Sequence, residues 1–143
     1  MTKCYLDANV LVHLKNQNSV EHDPALSKLI QLNKERAELY ISPLIIDEFI
    51  HAMLFLKRNK KLAETFDIRR DLQELLDLPR LSLINPPADK KSQLQIPDFM
   101  EKYKIGPRDS YHLLTMLSNS IDTFATFDTD FRRVFSSKIL LPL

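Results

Sequence analysis

The chain has 143 residues, 44% of them hydrophobic and 27% charged, with one cysteine and one glycine. This composition excludes an intrinsically disordered chain and predicts one globular domain over residues 1–143. The formal net charge of +1 excludes a general electrostatic attraction to nucleic acid, so any such contact must come from local groups.

The cysteine count and the lengths of the apolar segments limit the compartment and the membrane topology that we expect. Cys4 is the single cysteine, which excludes an internal disulfide and predicts a buried thiol in a reducing compartment. No window reaches the roughly 18 uncharged apolar residues of a membrane span, and the N-terminal residues lack the apolar run of a signal peptide. We therefore expect a cytoplasmic protein without a membrane segment.

Short apolar segments alternate with amphipathic segments along the whole chain. In chain order, the pattern predicts a strand at residues 3–6, helices from residue 10 and at 25–37, a strand at 39–41, helices at 43–56 and 62–76, a strand at 81–84, a helical stretch at 88–103, a helix at 107–119, and strands at 122–126 and 138–141. Pro97 predicts two short helices or a break in the 88–103 stretch.

This alternation predicts the fold class. Parallel strands need long crossovers, so strands that alternate with helices favour an α/β fold with a mostly parallel central sheet and helices on both faces. The single glycine, Gly106, excludes a glycine-rich phosphate-binding loop.

Two aspartates, Asp7 and Asp128, directly follow predicted strands. In open parallel sheets, ligands bind at the carboxyl ends of the strands, which makes both residues candidates for a functional site. Each also fits an ordinary helix N-cap, where a carboxylate accepts hydrogen bonds from backbone N–H groups. Both explanations remain open.

Glu48 lies within an apolar helix face, with Ile45, Ala52 and Phe55 as its neighbours. An ionised carboxylate removed from water requires a partner, which is either a structural arginine or a cation. The sequence therefore predicts an inward-pointing acid with a compensating group.

Asp109 repeats this pattern, since Leu113, Met116 and Leu117 share its helix face. Its place in the first helical turn explains its charge through the helix dipole, but it does not explain why the side chain faces the core.

The four acids Asp7, Glu48, Asp109 and Asp128 would repel one another if they converged, and a cation would relieve that repulsion. Oxygen-only ligands suit Mg²⁺ or Mn²⁺, whereas zinc usually recruits Cys or His at a spacing that is absent here. A divalent ion in such a site favours hydrolysis of phosphodiesters.

Four segments around these acids resemble the PIN-domain ribonuclease family, in particular the VapC-type toxins of toxin–antitoxin pairs. The matching segments are Tyr5–Val12, Ser42–Glu48, Arg108–Leu114 and Thr126–Phe131. The resemblance implies a PIN-like three-layer sandwich, Mg²⁺ or Mn²⁺ dependence, cleavage of RNA, a homodimer and a cognate antitoxin.

The same resemblance assigns roles to individual residues. The catalytic and metal-binding acids it implies are Asp7, Glu48, Asp109 and Asp128, with Asn9 and Thr126 as polar supports and Asp130 as a possible fifth acid. The chain departs from the family at Ser110, where alanine is frequent, and at residues 120–122, where glycine is frequent.

Basic residues beside the acidic motifs are candidates for contacts with RNA phosphates; they are Lys104, Arg108, Arg132 and Arg133. His51 and His112 are interpreted as ordinary surface or interior histidines without a catalytic role.

Two other functions stay open. One is a non-catalytic RNA- or protein-binding module that keeps the metal as a structural element. The other is an aspartate-based phosphatase with Asp7 as nucleophile, although such enzymes usually carry a second aspartate two residues on, where this chain has Asn9.

Overall fold

Five parallel strands form one sheet in the order β3-β2-β1-β4-β5 in the computed structural model, which describes residues 1–143. The strands are β1 (Lys3–Leu6), β2 (Glu38–Ile41), β3 (Leu81–Leu83), β4 (Thr123–Ala125) and β5 (Leu141–Pro142). The helices are α1 (Ala8–Lys15), α2 (His22–Lys34), α3 (Pro43–Arg58), α4 (Ile68–Leu76), α5 (Lys90–Gln93), α6 (Gln95–Tyr103), α7 (Pro107–Ser118) and α8 (Arg132–Ser136). A 3₁₀ turn at Thr129–Phe131 precedes α8.

The central strand β1 shows why the sheet needs helices on both faces. Cys4, Tyr5 and Leu6 are consecutive and at most 1% exposed, so side chains on both faces of the sheet are covered. Given this strand order, the right-handed rule for parallel crossovers places α1 to α4 on one face and α5 to α8 on the other. The predicted three-layer α/β sandwich is thereby confirmed.

The buried thiol is also confirmed. Cys4 is fully buried, and burial raises the pKa of its thiol to about 12. None of the helices combines the length and the hydropathy of a membrane-spanning segment.

One predicted helix boundary is wrong for a local reason. The helix expected from residue 62 begins only at Ile68, because Asp67 caps it by accepting a hydrogen bond from the Arg70 N–H. The prediction of two short helices in the 88–103 stretch is confirmed by α5 and α6. The break between them falls at Leu94, whereas Pro97 lies in the first turn of α6, where backbone N–H groups have no partner within the helix.

The last strand is shifted as well. It consists of residues 141–142 rather than 138–141, since Lys138 adopts a left-handed backbone with φ 64° and turns the chain before the strand starts.

Helix C-termini use left-handed residues that are not glycine. Arg36, Lys60 and Ser120 each follow a helix with φ 55–56°. At the end of α7, the N–H of Ile121 donates to the Met116 carbonyl at 2.9 Å, as expected for a Schellman turn around Ser120. This is the segment where glycine is frequent in the family that the sequence resembles.

Candidate active site

The register of the two central strands creates one edge of the candidate site. Leu6 of β1 pairs with Ala125 of β4, so the residues that follow, Asp7 and Thr126, are neighbours at the carboxyl end of the sheet. The Asp7 N–H donates to the Ala125 carbonyl at 3.0 Å, and the Thr126 hydroxyl donates to Asp7 Oδ2 at 2.6 Å. Strand pairing therefore determines where this carboxylate lies.

Asn9 links α1 to the segment after β4. Its Nδ2 lies 3.2 Å from Asp7 Oδ2 and 3.2 Å from Thr126 Oγ1, and its Oδ1 accepts a hydrogen bond from the Phe127 N–H at 3.2 Å. Both polar supports expected from the sequence thus contact Asp7.

Asp7 is a helix N-cap, which was one of the two explanations that the sequence left open. Its Oδ1 caps α1 by accepting a hydrogen bond from the Ala8 N–H at 2.7 Å, while its Oδ2 accepts from Thr126 and Asn9. The residue is 9% exposed, and burial raises the pKa of its carboxyl while the Thr126 hydrogen bond acts in the opposite direction.

Three further aspartates form a compact cluster beside this edge. Carboxylate oxygens of Asp109, Asp128 and Asp130 all lie within 4.8 Å of one another. Asp128 caps the 3₁₀ turn by accepting from the Asp130 N–H at 2.9 Å, and its own N–H donates to Thr126 Oγ1 at 2.9 Å. Thr126 therefore joins Asp7 to the cluster through two hydrogen bonds.

The acids of the site influence one another electrostatically. Burial, followed by the negative charge of Asp128, raises the pKa of Asp109 to about 6, and Asp7 adds to the effect. Glu48 contributes to the raised pKa of Asp7. The four acids predicted from the sequence thus belong to one electrostatic group, although only two of them lie within the compact cluster.

No lysine or arginine neutralises this group. The structure contains one ion pair between a basic side chain and an acid, which is Lys15 with Glu74, and it contains a hydrogen-bonded contact between His112 and Glu48. Asp7 and the three clustered aspartates have no such partner, so their repulsion is left for a cation or for protons to relieve.

Glu48 has a partner that the sequence did not indicate. Its Oε1 lies 2.5 Å from His112 Nε2, so its hydrogen-bond partner is a histidine and not the structural arginine considered from the sequence. Ile45 on its helix face is fully buried but Phe55 is 55% exposed, which puts Glu48 at the margin of the buried face. Its side chain is 18% exposed.

His112 is a buried histidine with both ring nitrogens hydrogen-bonded, which agrees with the interior histidine considered from the sequence, but its partners were not predicted. Its Nδ1 lies 2.9 Å from the Tyr5 hydroxyl, which lies 2.6 Å from Ser42 Oγ. His112, Tyr5 and Ser42 are all at most 2% exposed. The one signal in the sequence was the position of His112, one helical turn after Asp109.

A cleft of about 330 Å³ opens beside Glu48. Its lining includes Asn9, His13, His51 and Arg108. Of the basic residues predicted to contact phosphates, Arg108 therefore lines this cleft, together with His51, for which the sequence indicated no role.

The donor set fits a hard divalent cation. Oxygen ligands alone suit Mg²⁺ or Mn²⁺, and the clustered carboxylates offer several within a small space. A zinc site would call for sulfur or imidazole ligands, but Cys4 is buried within β1 and His112 Nε2 is engaged by Glu48.

Comparison with known proteins gives a family match and several similar folds. The family model for the PIN domain matches residues 4–135. VapBC2 from Rickettsia felis, solved bound to a DNA fragment from their promoter, is 19% identical, with a TM-score of 0.69 over 99% of this chain and 98% of that chain. No curated protein sequence matches this chain.

Two further solved structures share the fold. VapC20 from Mycobacterium tuberculosis, described as a sarcin-ricin loop cleaving toxin, is 14% identical, with a TM-score of 0.60 over 92% of this chain and 94% of that chain. VapBC-1 from nontypeable Haemophilus influenzae is 16% identical, with a TM-score of 0.60 over 99% of this chain and 97% of that chain.

Proposed function

The chain belongs to the PIN-domain family, and from this premise we propose that it is a Mg²⁺- or Mn²⁺-dependent endoribonuclease. The proposed catalytic and metal-binding acids are Asp7, Glu48, Asp109 and Asp128, with Asp130 as an additional acid. One observation carries the proposal: the carboxylates of Asp109, Asp128 and Asp130 lie within 4.8 Å of one another without a lysine or arginine partner.

The residues have distinct tasks in this proposal. A bound divalent ion lowers the pKa of a coordinated water and stabilises negative charge on a phosphate. Asp7 and Asp109 hold the ion directly, while Glu48 and Asp128 bind it directly or through water. Thr126 orients Asp7 through its 2.6 Å hydrogen bond, which reduces the reorganisation needed on binding.

RNA is the proposed substrate for two reasons. VapC20, which shares the fold, is described as a sarcin-ricin loop cleaving toxin. Arg108 lines the cleft beside Glu48, and Lys104, Arg132 and Arg133 are exposed, so all four are available to phosphates.

The biological setting extends the proposal. We infer a single PIN-like domain over residues 1–143 that acts in the cytoplasm as the toxin of a toxin–antitoxin pair, with a cognate antitoxin and a homodimeric state. The VapBC structures that share the fold support the partner, and light scattering of the purified protein tests the dimer.

Cleavage of a labelled RNA stem-loop tests the enzymatic function. We expect Mn²⁺-dependent cleavage that EDTA abolishes, and we expect Asp109→Asn to reduce the rate on the order of 10²-fold or more. Asp98→Asn is a matched control, because Asp98 also lies in the first turn of a helix but is exposed and is not part of the acidic cluster.

The contrary outcome is equally clear. A wild-type protein that binds RNA but cleaves no RNA of a diverse pool with Mn²⁺ is a binding module, and the proposal is then wrong. Cleavage that survives Asp109→Asn would show that the acidic cluster is not the active site.

A further inference from the structure

Four buried or half-buried polar groups form a continuous chain behind the acidic cluster. We name it the buried polar chain, and it consists of Ser42, Tyr5, His112 and Glu48, joined at 2.6, 2.9 and 2.5 Å. It connects the start of α3, the central strand β1 and α7, and it ends on an acid of the proposed site.

When the His112 ring is neutral, the carboxylate at the end of the buried polar chain sets the direction of every bond in it. A carboxylate only accepts hydrogen bonds, so His112 Nε2 must carry the hydrogen that it shares with Glu48. In the neutral ring, Nδ1 is then an acceptor, and the Tyr5 hydroxyl donates to it. The Tyr5 oxygen in turn accepts a hydrogen bond from the Ser42 hydroxyl.

Ser42 completes the sequence of donors and acceptors. Its Oγ accepts a hydrogen bond from the Ile45 N–H at 3.3 Å, which caps α3. No buried side-chain nitrogen or oxygen in the structure lacks a partner. The arrangement therefore selects one tautomer of His112, with every donor matched to an acceptor.

Core packing alone does not explain this arrangement. Polar groups buried at this depth cost free energy unless all are paired, and apolar side chains would fill the same volume without that requirement. Moreover, Ser42 fixes the start of α3 and His112 fixes the carboxylate of Glu48 on the same helix. Ser42 and His112 in the buried polar chain thus both influence the position of Glu48.

We propose that His112 is a positioning residue that holds the Glu48 carboxylate in one orientation for the divalent cation, with its tautomer selected by Tyr5. This inference rests on the proposed function, because it requires a cation at the acidic site. Partners that orient a metal ligand typically contribute 10- to 100-fold to metal affinity.

Mn²⁺ affinity, measured by electron paramagnetic resonance of the free ion, tests the inference without relying on activity. We expect His112→Leu to weaken Mn²⁺ binding by about 10- to 100-fold, and His112→Gln to restore most of it, because an amide N–H replaces Nε2. His22→Leu is the control, since the His22 ring bonds only the backbone carbonyl of His13.

Tyr5→Phe is a second, milder variant that keeps the aromatic ring in the core. It removes the hydroxyl that selects the tautomer, so we expect a smaller loss of Mn²⁺ affinity than in His112→Leu. Tyr40→Phe, on the neighbouring strand β2, is its matched control. The Tyr40 hydroxyl bonds Glu38 of the same strand at 2.6 Å and has no part in the buried polar chain.

Nitrogen-15 NMR of the His112 ring gives a readout that a merely structural role would not move. We expect the Nε2–H tautomer in the wild-type protein and a broadened or mixed signal in Tyr5→Phe. An Nδ1–H tautomer in the wild type would overturn the inference.

The outcomes separate the inference from the proposed function. If the wild type binds Mn²⁺ and cleaves RNA, and folded His112→Leu binds Mn²⁺ with unchanged affinity, the positioning role is wrong and the nuclease stands. If the wild type neither binds Mn²⁺ nor cleaves RNA, the proposed function is wrong, and the positioning role falls with it.

Discussion

The raised pKa of Asp109 makes the stability of the fold depend on pH. Burial and the nearby Asp128 raise its pKa to about 6 in the folded, metal-free protein, whereas the unfolded chain has the ordinary value of 3.8. The folded state therefore binds more protons between these values, and stability falls as the pH rises through that window. Below it, both states are protonated and the effect vanishes.

We expect Asp109→Asn to be more stable than the wild type at pH 7 in EDTA, and equally stable near pH 3.5. Water reaches the half-buried Asp109 and screens its repulsion, so the gain should be about 1 kcal/mol, well below the value of the full shift. Urea unfolding at the two pH values measures it. Asp98→Asn should gain nothing, and a destabilised Asp109→Asn at pH 7 would contradict the argument.

Thr126 is the second residue that we expect to affect both the stability of the fold and the candidate site. Its hydroxyl donates to Asp7 and accepts from the Asp128 N–H, so Thr126→Val leaves both groups without that partner. We expect the free energy of unfolding to fall by about 1–3 kcal/mol. We also expect Mn²⁺ to raise the unfolding temperature of this variant by less than that of the wild type.

Thr123→Val at the other end of β4 is the matched control, because it loses only a bond to the exposed Asp122. Thermal unfolding with and without Mn²⁺ distinguishes the two variants. Equal effects of both would show that the Thr126 hydroxyl has no particular role in the site.

At the scale of elements, the C-terminus of α7 carries a strain that one substitution should relieve. Ser120 has φ 56°, a conformation that costs an L-residue roughly 1–2 kcal/mol, and its side chain is exposed. Glycine avoids this cost but gains entropy in the unfolded chain. We expect Ser120→Gly to raise the free energy of unfolding by about 0.5–1 kcal/mol.

Ser118→Gly provides the comparison, because Ser118 lies in the last turn of the same helix and its hydroxyl bonds the Leu114 carbonyl. Glycine there should lower stability by about 1 kcal/mol. If both variants were destabilised equally in chemical denaturation, backbone strain at Ser120 would be excluded as the dominant effect.

The same element scale shows what the sequence could predict. Local signals were sufficient for strands and helices, because apolar periodicity and caps such as Ser42-Pro43 depend on neighbouring residues. Asp7 and Asp128 were identifiable because they follow strands. The prediction that this helix begins at residue 62 was wrong. The amphipathic spacing continues before Ile68, but Asp67 caps the helix and fixes its start.

The partner of Glu48 was beyond such reasoning for a physical reason. His112 lies 64 positions away, and Tyr5 lies 107 positions from His112, so their contacts depend on the packing of α3, β1 and α7. Apolar spacing indicated that Glu48 faces inward. It carried no information on which polar side chain would meet it.

At the scale of the whole molecule, divalent cations should stabilise the fold. The carboxylates of the acidic cluster have no lysine or arginine partner, so they repel one another in the metal-free protein. A cation that binds only the folded state adds stability by mass action. At an ion concentration of 100 times Kd, the gain is about 2.7 kcal/mol.

For a domain of this size, that gain corresponds to a rise in Tm of roughly 6–10 °C. Differential scanning calorimetry with MnCl₂ against KCl of matched ionic strength measures it, because simple screening would act in both salts. Asp109→Asn should lose most of the Mn²⁺-specific rise, while Asp98→Asn should keep it. An equal rise in KCl would show that the acids respond to ionic strength alone, and the proposed cation site would then have no thermodynamic support.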